Sequence, residues 1–531
     1  MIEAPVFSED ERRVLAPYFT NLDGPVFALR NLPEVVKGAL FARYSRSPKS
    51  LRRLFLDEFV DQVEAGSSLA EIGMARADKL YERVFDEYGD DSVAQLGGAH
   101  LACEGASNIL TKVLEWGRLM AYLEQSTRYI AYNDRLGNRW KYLVPTELDD
   151  NTDVKRQYIE CLDRAFEVYA RWIPPVEDYY RAKHPRASGD PEGVYKRTIR
   201  AKALDTLRGL LPAATQSNVG IFGTGQAFET LLLRMRVHPL VEVRQYADLM
   251  LTELRQVIPS FLKRVDREDR GQRWSRYLDD TRQAIEAIAQ RLLAGAAVEP
   301  RAEVVLTDFD PEGELKVVAA ALYAASDLPD DALLQRARQL SSAQRAAILR
   351  AYVGERQNRR HKPGRAFERT TYRFDVLTDY GAFRDLQRHR LLTLEWQPLS
   401  PHHGYDIPGA VRDVGALADW ERVTEGSAQV YEALCRAGLP HVGPYAVSMA
   451  YRVRFYMQLN AREALHMIEL RTAPQGHPSY RRVCQQMHRL IAERAGHHAI
   501  ADAMCFADHS SVDLERLQAE RASERRRQQR E

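Results

Sequence analysis

Apolar positions along this chain recur mostly at the spacing of helices. KALDTLRGLL (Lys202 to Leu211) and SAQRAAILRAYVGERQN (Ser342 to Asn358) carry apolar residues at i, i+3 and i+4, which predicts amphipathic helices. Strand candidates are short, and AVSMAYRVRFYMQL (Ala446 to Leu459) alternates apolar with polar residues, as a strand with one buried face does. Because helical segments outweigh strand candidates, we predict an α+β fold with small sheets.

The same pattern occurs twice along the chain. VFALRNLPEVVKGALFARYS (Val26 to Ser45) has a counterpart in VVLTDFDPEGELKVVAAALYAAS (Val304 to Ser326). Each combines a short β-branched run, a turn that ends in Pro-Glu, and an Ala-rich helix. RGLLP (Arg208 to Pro212) is matched further on by RAGLP (Arg436 to Pro440). Repeats of this kind indicate duplicated structural units.

A third pair of segments fixes the order of the repeat. The helical stretches AFETLLLRMRVHP and AREALHMIELRTAPQGHP both reach a Leu-Arg step, at Arg234 and at Arg471. Three matched features in one order predict a tandem duplication with a seam near residues 292–301, where Gly, Ala and Pro gather. We therefore predict a first copy with an N-terminal extension at 1–295, a second copy at 296–510 and a charged tail at 511–531.

The composition excludes several classes of protein. With 531 residues, 45% apolar and 28% charged, the chain has the composition of a soluble globular protein. The 75 Lys and Arg nearly cancel the 74 Asp and Glu, so no basic field favours a nucleic acid polymer as partner. The start MIEAPVFSEDERR lacks the pattern of a signal peptide, and no apolar run of about 18 residues is present to cross a membrane. Five cysteines without CxxC spacing indicate no zinc site. We predict a cytoplasmic protein without a metal.

One triplet of chargeable residues concentrates candidate chemistry in the second copy. Arg388-His389-Arg390 lies between the apolar stretches FRDLQ and LLTLEW, so we expect it at the end of an ordered element. Guanidinium groups bind phosphate and other planar acceptors, and a fixed positive charge stabilises a reduced, anionic flavin. A solvated basic patch is the alternative for an isolated triplet of this kind.

The matching place in the first copy reads LEWGRLMAYLEQSTRY (Leu114 to Tyr129). Glu124, Ser126 and Arg128 form an E-x-S-x-R cluster there. A hydroxyl, a guanidinium and nearby backbone N–H groups are what a phosphate monoester needs. The alternative is a helix end with Ser126 as its N-cap.

These two segments together resemble the flavin-dependent thymidylate synthases, whose signature is R-H-R, seven residues, then S-x-R. The first copy keeps the second half of that signature but has Trp116-Gly117-Arg118 in place of R-H-R. The second copy keeps R-H-R but has Pro398 where the serine is expected. The signature is therefore divided between the two copies.

The resemblance implies roles for residues elsewhere in the chain. RHKPGRAFE is similar to a further family segment and retains His361. By resemblance, the residues implied to bind the nucleotide are Glu124, Ser126, Arg128, Arg208 and Arg436. Those implied to bind the flavin are Arg388, His389, Arg390, His361 and Asn460. Those implied to contact the pyrimidine as catalytic residues are Arg234 and Arg471.

The reaction that the resemblance implies is the synthesis of dTMP from dUMP. The carbon would come from methylenetetrahydrofolate, and the hydride from FAD reduced by NADPH. Family members are homotetramers with sites where subunits meet, so a duplicated chain is expected to form a homodimer that acts as a pseudo-tetramer. One site is then expected to combine the phosphate loop of the first copy with the flavin arginines of the second: Glu124, Ser126 and Arg128 with Arg388 and Arg390. The alternatives are a catalytically degenerate homologue that binds flavin or nucleotide, or serves only as an assembly partner, and an unrelated scaffold.

Overall fold

The structure is a computed structural model that describes residues 7–24, 27–44, 47, 49–60, 95–188, 190–297, 300–511, 514, 517 and 521. Val26, Ser45 and most of the predicted tail at 511–531 lie outside these residues. Among the residues that the structure describes, none of the helices has the length and apolar character that a membrane crossing requires.

Helices dominate the first half of the chain, as the apolar spacing predicts. The elements up to residue 297 are α1 (Glu9–Leu15), α2 (Glu34–Tyr44), α3 (Leu51–Phe55), β1 (Gly98–Ser107), α4 (Asn108–Leu114), β2 (Met120–Glu124), α5 (Thr152–Lys183), α6 (Glu192–Leu207), β3 (Gln216–Thr224), α7 (Gly225–Arg236), α8 (Val241–Val257) and α9 (Arg273–Leu293).

The second half has the same mixture of helices and short strands, which confirms the α+β prediction. Its elements are β4 (Val304–Phe309), α10 (Gly313–Tyr323), α11 (Asp330–Gln339), α12 (Ser342–Val353), β5 (Thr371–Asp379), α13 (Tyr380–Gln387), β6 (Leu392–Trp396), α14 (Gly409–Asp413), α15 (Leu417–Arg436), α16 (Gly443–Ala446), β7 (Arg452–Asn460), α17 (Ala461–Arg471), α18 (Pro478–Glu493) and α19 (His498–Asp502).

The chain forms two compact units that do not follow the two halves of the sequence. Unit 1 comprises residues 1–104, 117–124 and 218–296, and unit 2 comprises 105–116, 125–217 and 297–531. The change at residue 296 falls within the predicted seam. A large part of the first copy, however, packs with the second copy in unit 2, so 1–295 and 296–510 remain proposals about the repeat in the sequence.

The sheet of unit 1 has the order β1-β3-β2, with β3 in the centre. β2 runs antiparallel to β3, and Val219 and Ile221 of β3 are buried on its inner face. On the opposite face the side chains are apolar but open to solvent: Leu123 is 80% exposed and Phe222 is 45% exposed. This sheet therefore has an apolar outer face.

The sheet of unit 2 has the order β4-β5-β7-β6. In β7 the apolar residues predicted to share a face are buried, whereas the polar residues between them are half-buried. The strand begins only at Arg452, because Ala446 ends α16 and residues 447–451 form a turn with isolated bridges at Ser448 and Tyr451. The backbone of Val447 and Met449 is hydrogen-bonded to Ala213 and Leu211 of the first copy, so the predicted strand starts too early.

The two sheets have the same register relative to the helix that follows. Met120 at the start of β2 lies opposite Gly223, one residue before Thr224, the N-cap of α7. Leu392 at the start of β6 lies opposite Leu459, one residue before Asn460, the N-cap of α17. The two halves therefore repeat one plan down to individual residue pairs.

Within unit 2 the two copies also meet at corresponding residues. Pro212 forms an antiparallel bridge with Ser448, and each stands twelve residues before its N-cap. The N–H of Ala213 donates to the carbonyl of Val447 at 2.8 Å, and the N–H of Met449 donates to that of Leu211 at 2.9 Å. These two hydrogen bonds exchange under a half-turn, so a local pseudo-two-fold axis passes through this bridge, which we call the Pro212–Ser448 bridge.

This bridge corrects two matches made from the sequence. The residue that corresponds to Arg208 is Pro444, not Arg436, because both stand sixteen residues before their caps. Arg436 is exposed at the end of α15. Arg234 stands ten residues after its cap, whereas Arg471 stands eleven after its own, and one residue turns a helix by about 100°.

A candidate anion site built by both copies

The triplet Arg388-His389-Arg390 lies at the end of an ordered helix, as predicted. Asp379 caps α13 by accepting a hydrogen bond from the N–H of Ala382 at 2.9 Å, and Arg388 is the C-cap. The last turn of α13 carries Asp385, which forms an ion pair with Arg388 three residues on. Residues at this spacing face each other on a helix, so the helix itself brings this pair together.

Asp385 lies at the centre of an arginine cluster that combines the two copies. Besides Arg388, its carboxylate lies 3.5 Å from Nη1 of Arg471 and 3.9 Å from Nη1 of Arg208. Burial alone would raise the pKa of Asp385, but Arg388, Arg471, Arg208 and Arg128 lower it far below its usual range. Asp385 is therefore a carboxylate, only 8% exposed, held by cations from both copies.

Arg128 enters this cluster from the S-x-R segment of the first copy. Its Nε and Nη2 donate to the two carboxylate oxygens of Asp205 on α6, at 2.7 and 2.6 Å. Its Nη1 donates to the hydroxyl of Tyr480 at 3.0 Å, on α18 of the second copy. The hydroxyl of Ser126 accepts from the N–H of Arg128 at 3.3 Å, so Ser126 stabilises the turn that carries this arginine.

Arg208, the C-cap of α6, is buried, and the carboxylates nearest to its positive charge are too distant for short hydrogen bonds. The residue is 4% exposed, and its nearest carboxylates, Asp379 and Asp385, are 3.8 and 3.9 Å away. Within the described part of the chain, Nη2 of Arg208 and Oδ2 of Asp379 have no hydrogen-bond partner. The guanidinium lies against Gly381, where an added Cβ would come within 2.8 Å of it. A buried donor without a partner is costly, so this position favours a bound water or anionic ligand.

His389 is part of a hydrogen-bonded chain and not of the cation cluster. Its Nδ1 lies 2.9 Å from a carboxylate oxygen of Glu463, and its Nε2 accepts from Nε of Arg471 at 3.0 Å. Because Arg471 can only donate, the proton of His389 is assigned to Nδ1. Burial first, and then Arg471 and Arg388, lower the pKa of His389 well below its usual value, so the ring is neutral.

Three side chains in and beside this hydrogen-bonded group are of the types that bind metal ions. Ligand atoms of His389, Glu463 and His466 lie within 4.8 Å of one another. Both ring nitrogens of His389 are already engaged, however, and Lys362 and other cations surround Glu463. We therefore assign His389 and Glu463 to hydrogen bonding.

The other predicted residues are distributed more widely. His361 is exposed and contacts Gln357 and Asn358 in its own loop, and Arg390 is exposed. The side chain of Asn460 caps α17 by accepting from the N–H of Glu463 at 2.9 Å. In unit 1, Glu124 is buried at the end of β2, and Arg234 lies in the last turn of α7. Arg436 lies outside the cluster.

Sequence reasoning missed the carboxylates of the site: Asp205, Asp379 and Asp385. A local signal was available for two of them, because Asp205 precedes Arg208 by three residues and Asp385 precedes Arg388 by three. That spacing is typical of ion pairs on one helix face. In the structure Asp205 nevertheless pairs with Arg128, which is 77 residues away.

A cavity of about 830 Å³ in unit 2 adjoins the cluster. Its walls come from both copies and include Asp205 and His477, with Lys202 and Arg412 among the basic residues. Burial first, and then Arg208, lower the pKa of His477 well below its usual range, which leaves a neutral imidazole on this wall. The volume lies within the range of small-molecule sites, about 300–1,000 Å³.

The repeated register and the Pro212–Ser448 bridge define a tandemly duplicated α+β protein with an arginine site shared by its copies. The chain belongs to the thymidylate synthase complementing protein family, whose model matches residues 39–260 and again 305–495. This double match confirms both the resemblance and the tandem duplication.

Relatives over the whole chain and over one copy are both found. A UPF0159 protein of Chlamydia muridarum is 39% identical over 524 residues, which cover 97% of this chain and 98% of that protein. A flavin-dependent thymidylate synthase of Clostridium tetani is 25% identical over 178 residues, covering 33% of this chain and 66% of that protein. The solved UMP/dUMP methylase PolB from Streptomyces cacaoi is 19% identical, with a TM-score of 0.30 over 39% of this chain and 97% of that one.

Proposed function

We propose that this chain is a thymidylate synthase-like enzyme that converts dUMP to dTMP, with methylenetetrahydrofolate as carbon donor and NADPH as reductant of FAD. The observation that carries the proposal is the meeting of Arg128 and Arg208 from the first copy with Arg388 and Arg471 from the second. Family membership supports the reaction class. The shared cluster supports a site whose parts come from different copies.

We assign the nucleotide phosphate to the arginines of the first copy. Ser126 positions Arg128 through the turn, and buried Arg208 has a donor to offer. Arg471 would contact the pyrimidine, because it belongs to the same cluster and is held by His389. Glu124 and Arg234 remain weaker candidates because they belong to unit 1. Arg436 is a weaker candidate because it is exposed at the end of α15, outside the cluster.

The residues around the triplet suit the acidic parts of a flavin cofactor. The Arg388 side chain is 32% exposed and Arg390 is exposed, so both can reach a bound anion. FAD, when bound, would supply the hydride. Neutral His389 fixes Arg471 through its hydrogen bond, whereas Asn460 and His361 have capping and loop contacts that a cofactor would have to share.

The second candidate function is a degenerate homologue that binds flavin or nucleotide without synthesis, or serves only in assembly. It is favoured by Asp385 and Asp205, two carboxylates that already form ion pairs with arginines of the cluster. It is also favoured by the corresponding positions of the other half-site, which hold Trp116, Ser400 and Pro444 where the cluster has Arg388, Arg128 and Arg208.

Tritium release from [5-³H]dUMP separates the two functions. We expect release that requires methylenetetrahydrofolate, NADPH and FAD, and about one flavin per chain because the residues that the structure describes hold one complete arginine set. Flavin binding without tritium release would favour the degenerate homologue. A protein that takes up no flavin and releases no tritium would rule out the enzyme.

We also propose a cytoplasmic homodimer. The Pro212–Ser448 bridge already relates the two copies within one chain by a half-turn, so two chains suffice for a pseudo-tetramer. Light scattering of the purified protein at several concentrations tests the dimer independently of activity.

A further inference from the structure

The arginine cluster contains a carboxylate, that of Asp385, which has no part in the proposed binding of nucleotide or flavin. Asp385 is not a wall residue of the cavity but the point on which the cations converge. Its partners differ in distance: Arg388 is a close local pair, whereas Arg471 and Arg208 stand at 3.5 and 3.9 Å. The two distant contacts are longer than charge-assisted hydrogen bonds, which fall at about 2.7–2.9 Å.

The charges of the cluster nearly balance without a ligand. Four arginines (Arg128, Arg208, Arg388 and Arg471) face three buried carboxylates (Asp205, Asp379 and Asp385). Asp205 is held by Arg128 through both oxygens, and Asp379 lies near Arg208. One positive charge is therefore in excess, and Asp385 is the carboxylate that the remaining arginines share.

We propose that Asp385 is a specificity-determining residue: an internal counter-anion that holds the arginines of both copies together and weakens their binding of oxyanions such as phosphate. An entering oxyanion must compete with its carboxylate for Arg208 and Arg471. Arg208, which keeps an unpaired donor beside Asp385, is the first group available to that oxyanion. The inference rests on the proposed anion site but not on the reaction performed there.

Replacement of Asp385 by asparagine tests the competition directly. The Asp385→Asn variant raises the excess from one positive charge to two, so we expect lower thermal stability in chloride and a saturable increase in melting temperature with inorganic phosphate. The apparent Kd for phosphate should decrease at least tenfold relative to the unmodified chain at equal ionic strength. An unchanged or weaker Kd would overturn the proposal.

A buried ion pair elsewhere in unit 2 supplies the matched control. Glu469 binds Arg356 through two hydrogen bonds of 2.6 Å, and both side chains are almost completely buried. Glu469→Gln should be destabilised as well, but one isolated arginine should give no tenfold gain in phosphate affinity. Equal gains in both variants would mean that any unpaired buried arginine binds phosphate, which contradicts a special role for Asp385.

A double variant tests whether the net charge of the cluster, and not the shape of the side chain at position 385, sets the phosphate affinity. Asp385→Asn combined with Arg388→Gln removes one charge of each sign and restores an excess of one. We expect its phosphate affinity to return to that of the unmodified chain, and a double variant as tight as the single one would contradict the proposal. If the single variant folds only in phosphate, that dependence supports the same conclusion, whereas failure to fold in saturating phosphate argues against it. Because phosphate is the probe, these outcomes hold whether or not dUMP is methylated.

Discussion

The two helix–strand junctions of the repeat, α4 to β2 and α13 to β6, have the same spacing along the chain and different charges. Both helices have capped N-termini, by Ser107 and Asp379, and both lead into strands of matching register. The first junction contains the buried pair Lys112–Glu115, with 2% and 0% side-chain exposure. The second carries Asp385 and Arg388, which belong to the wider cluster. The first junction therefore holds an isolated buried ion pair, whereas the second contributes to the arginine cluster to which we assign the ligand.

The largest expected effect concerns the buried pair of the first junction. Glu115→Ala removes the carboxylate that pairs with buried Lys112, so we expect a loss of about 3–5 kcal/mol in the free energy of unfolding, measured by urea denaturation. The double variant Lys112→Met with Glu115→Leu should recover most of that loss. A Glu115→Ala protein as stable as the unmodified chain would contradict the division of roles.

The second effect concerns the outer faces of the two sheets. The counterpart of exposed Leu123 in β2 is exposed Glu395 in β6. If the apolar face of unit 1 is a contact between chains, Leu123→Glu should weaken the homodimer by about 1.5–3 kcal/mol for each leucine lost from the interface, the value of burying one leucine side chain. Light scattering at decreasing concentration measures the change, and Glu395→Gln should leave the dimer unaffected.

The third effect concerns the nucleotide. Arg128→Ala removes the guanidinium that we assign to the phosphate of dUMP. Because a hydrogen bond to a charged group contributes about 1.5–3 kcal/mol, dUMP affinity measured by calorimetry should decrease by roughly tenfold to a hundredfold. Ser126→Ala should act in the same direction with a smaller effect. Arg436→Ala is the control, because this arginine is exposed and outside the cluster; equal losses in both arginine variants would exclude the proposed site.

A smaller effect should separate the two copies at matched positions. Arg390 of the triplet corresponds to Arg118 in the first copy. Arg390→Ala should weaken flavin binding about tenfold, or about 1.4 kcal/mol, whereas Arg118→Ala should leave it unchanged. Fluorescence titration with FAD measures both, and a similar response from the two variants would mean that both half-sites bind flavin.

The smallest effect is a pH dependence contributed by one histidine of the second copy, His466. Burial lowers the pKa of His466 to about 4, and its counterpart in the first copy is Thr230. The unfolded chain, with a histidine pKa of about 6.5, then binds the proton more readily. The stability that this histidine contributes is therefore fully present above about pH 6.5 and is lost as the pH falls towards 4. His466→Asn should reduce that slope in unfolding experiments at pH 5 and 7.

Local features of this fold could be predicted from the sequence because they depend on neighbouring residues. The alternation of Val453, Phe455 and Met457 indicates a strand with one buried face, and these residues are buried in β7. The triplet at Arg388 was expected at the end of an ordered element and follows α13. Periodicity of this kind is encoded within a few residues.

Long-range features could not be predicted in the same way. The pairing of Arg128 with Asp205 depends on the path of α5 and α6, and no local pattern encodes it. The match of Arg436 to Arg208 was wrong because similar letters were compared without their distance from the following helix cap. The roles of the site residues themselves stay predictions until ligands are tested.

The Pro212–Ser448 bridge also has an evolutionary consequence. In a dimer of identical chains every mutation appears on both sides of the axis, so a lost arginine is lost twice. Once the copies are joined in one gene, each side can change alone. The two residues of the bridge already differ in this way: Pro212 has no N–H, whereas the N–H of Ser448 donates to the hydroxyl of Ser427 at 2.9 Å. Because the two joined copies need not remain identical, a function can be kept on one side of the axis alone.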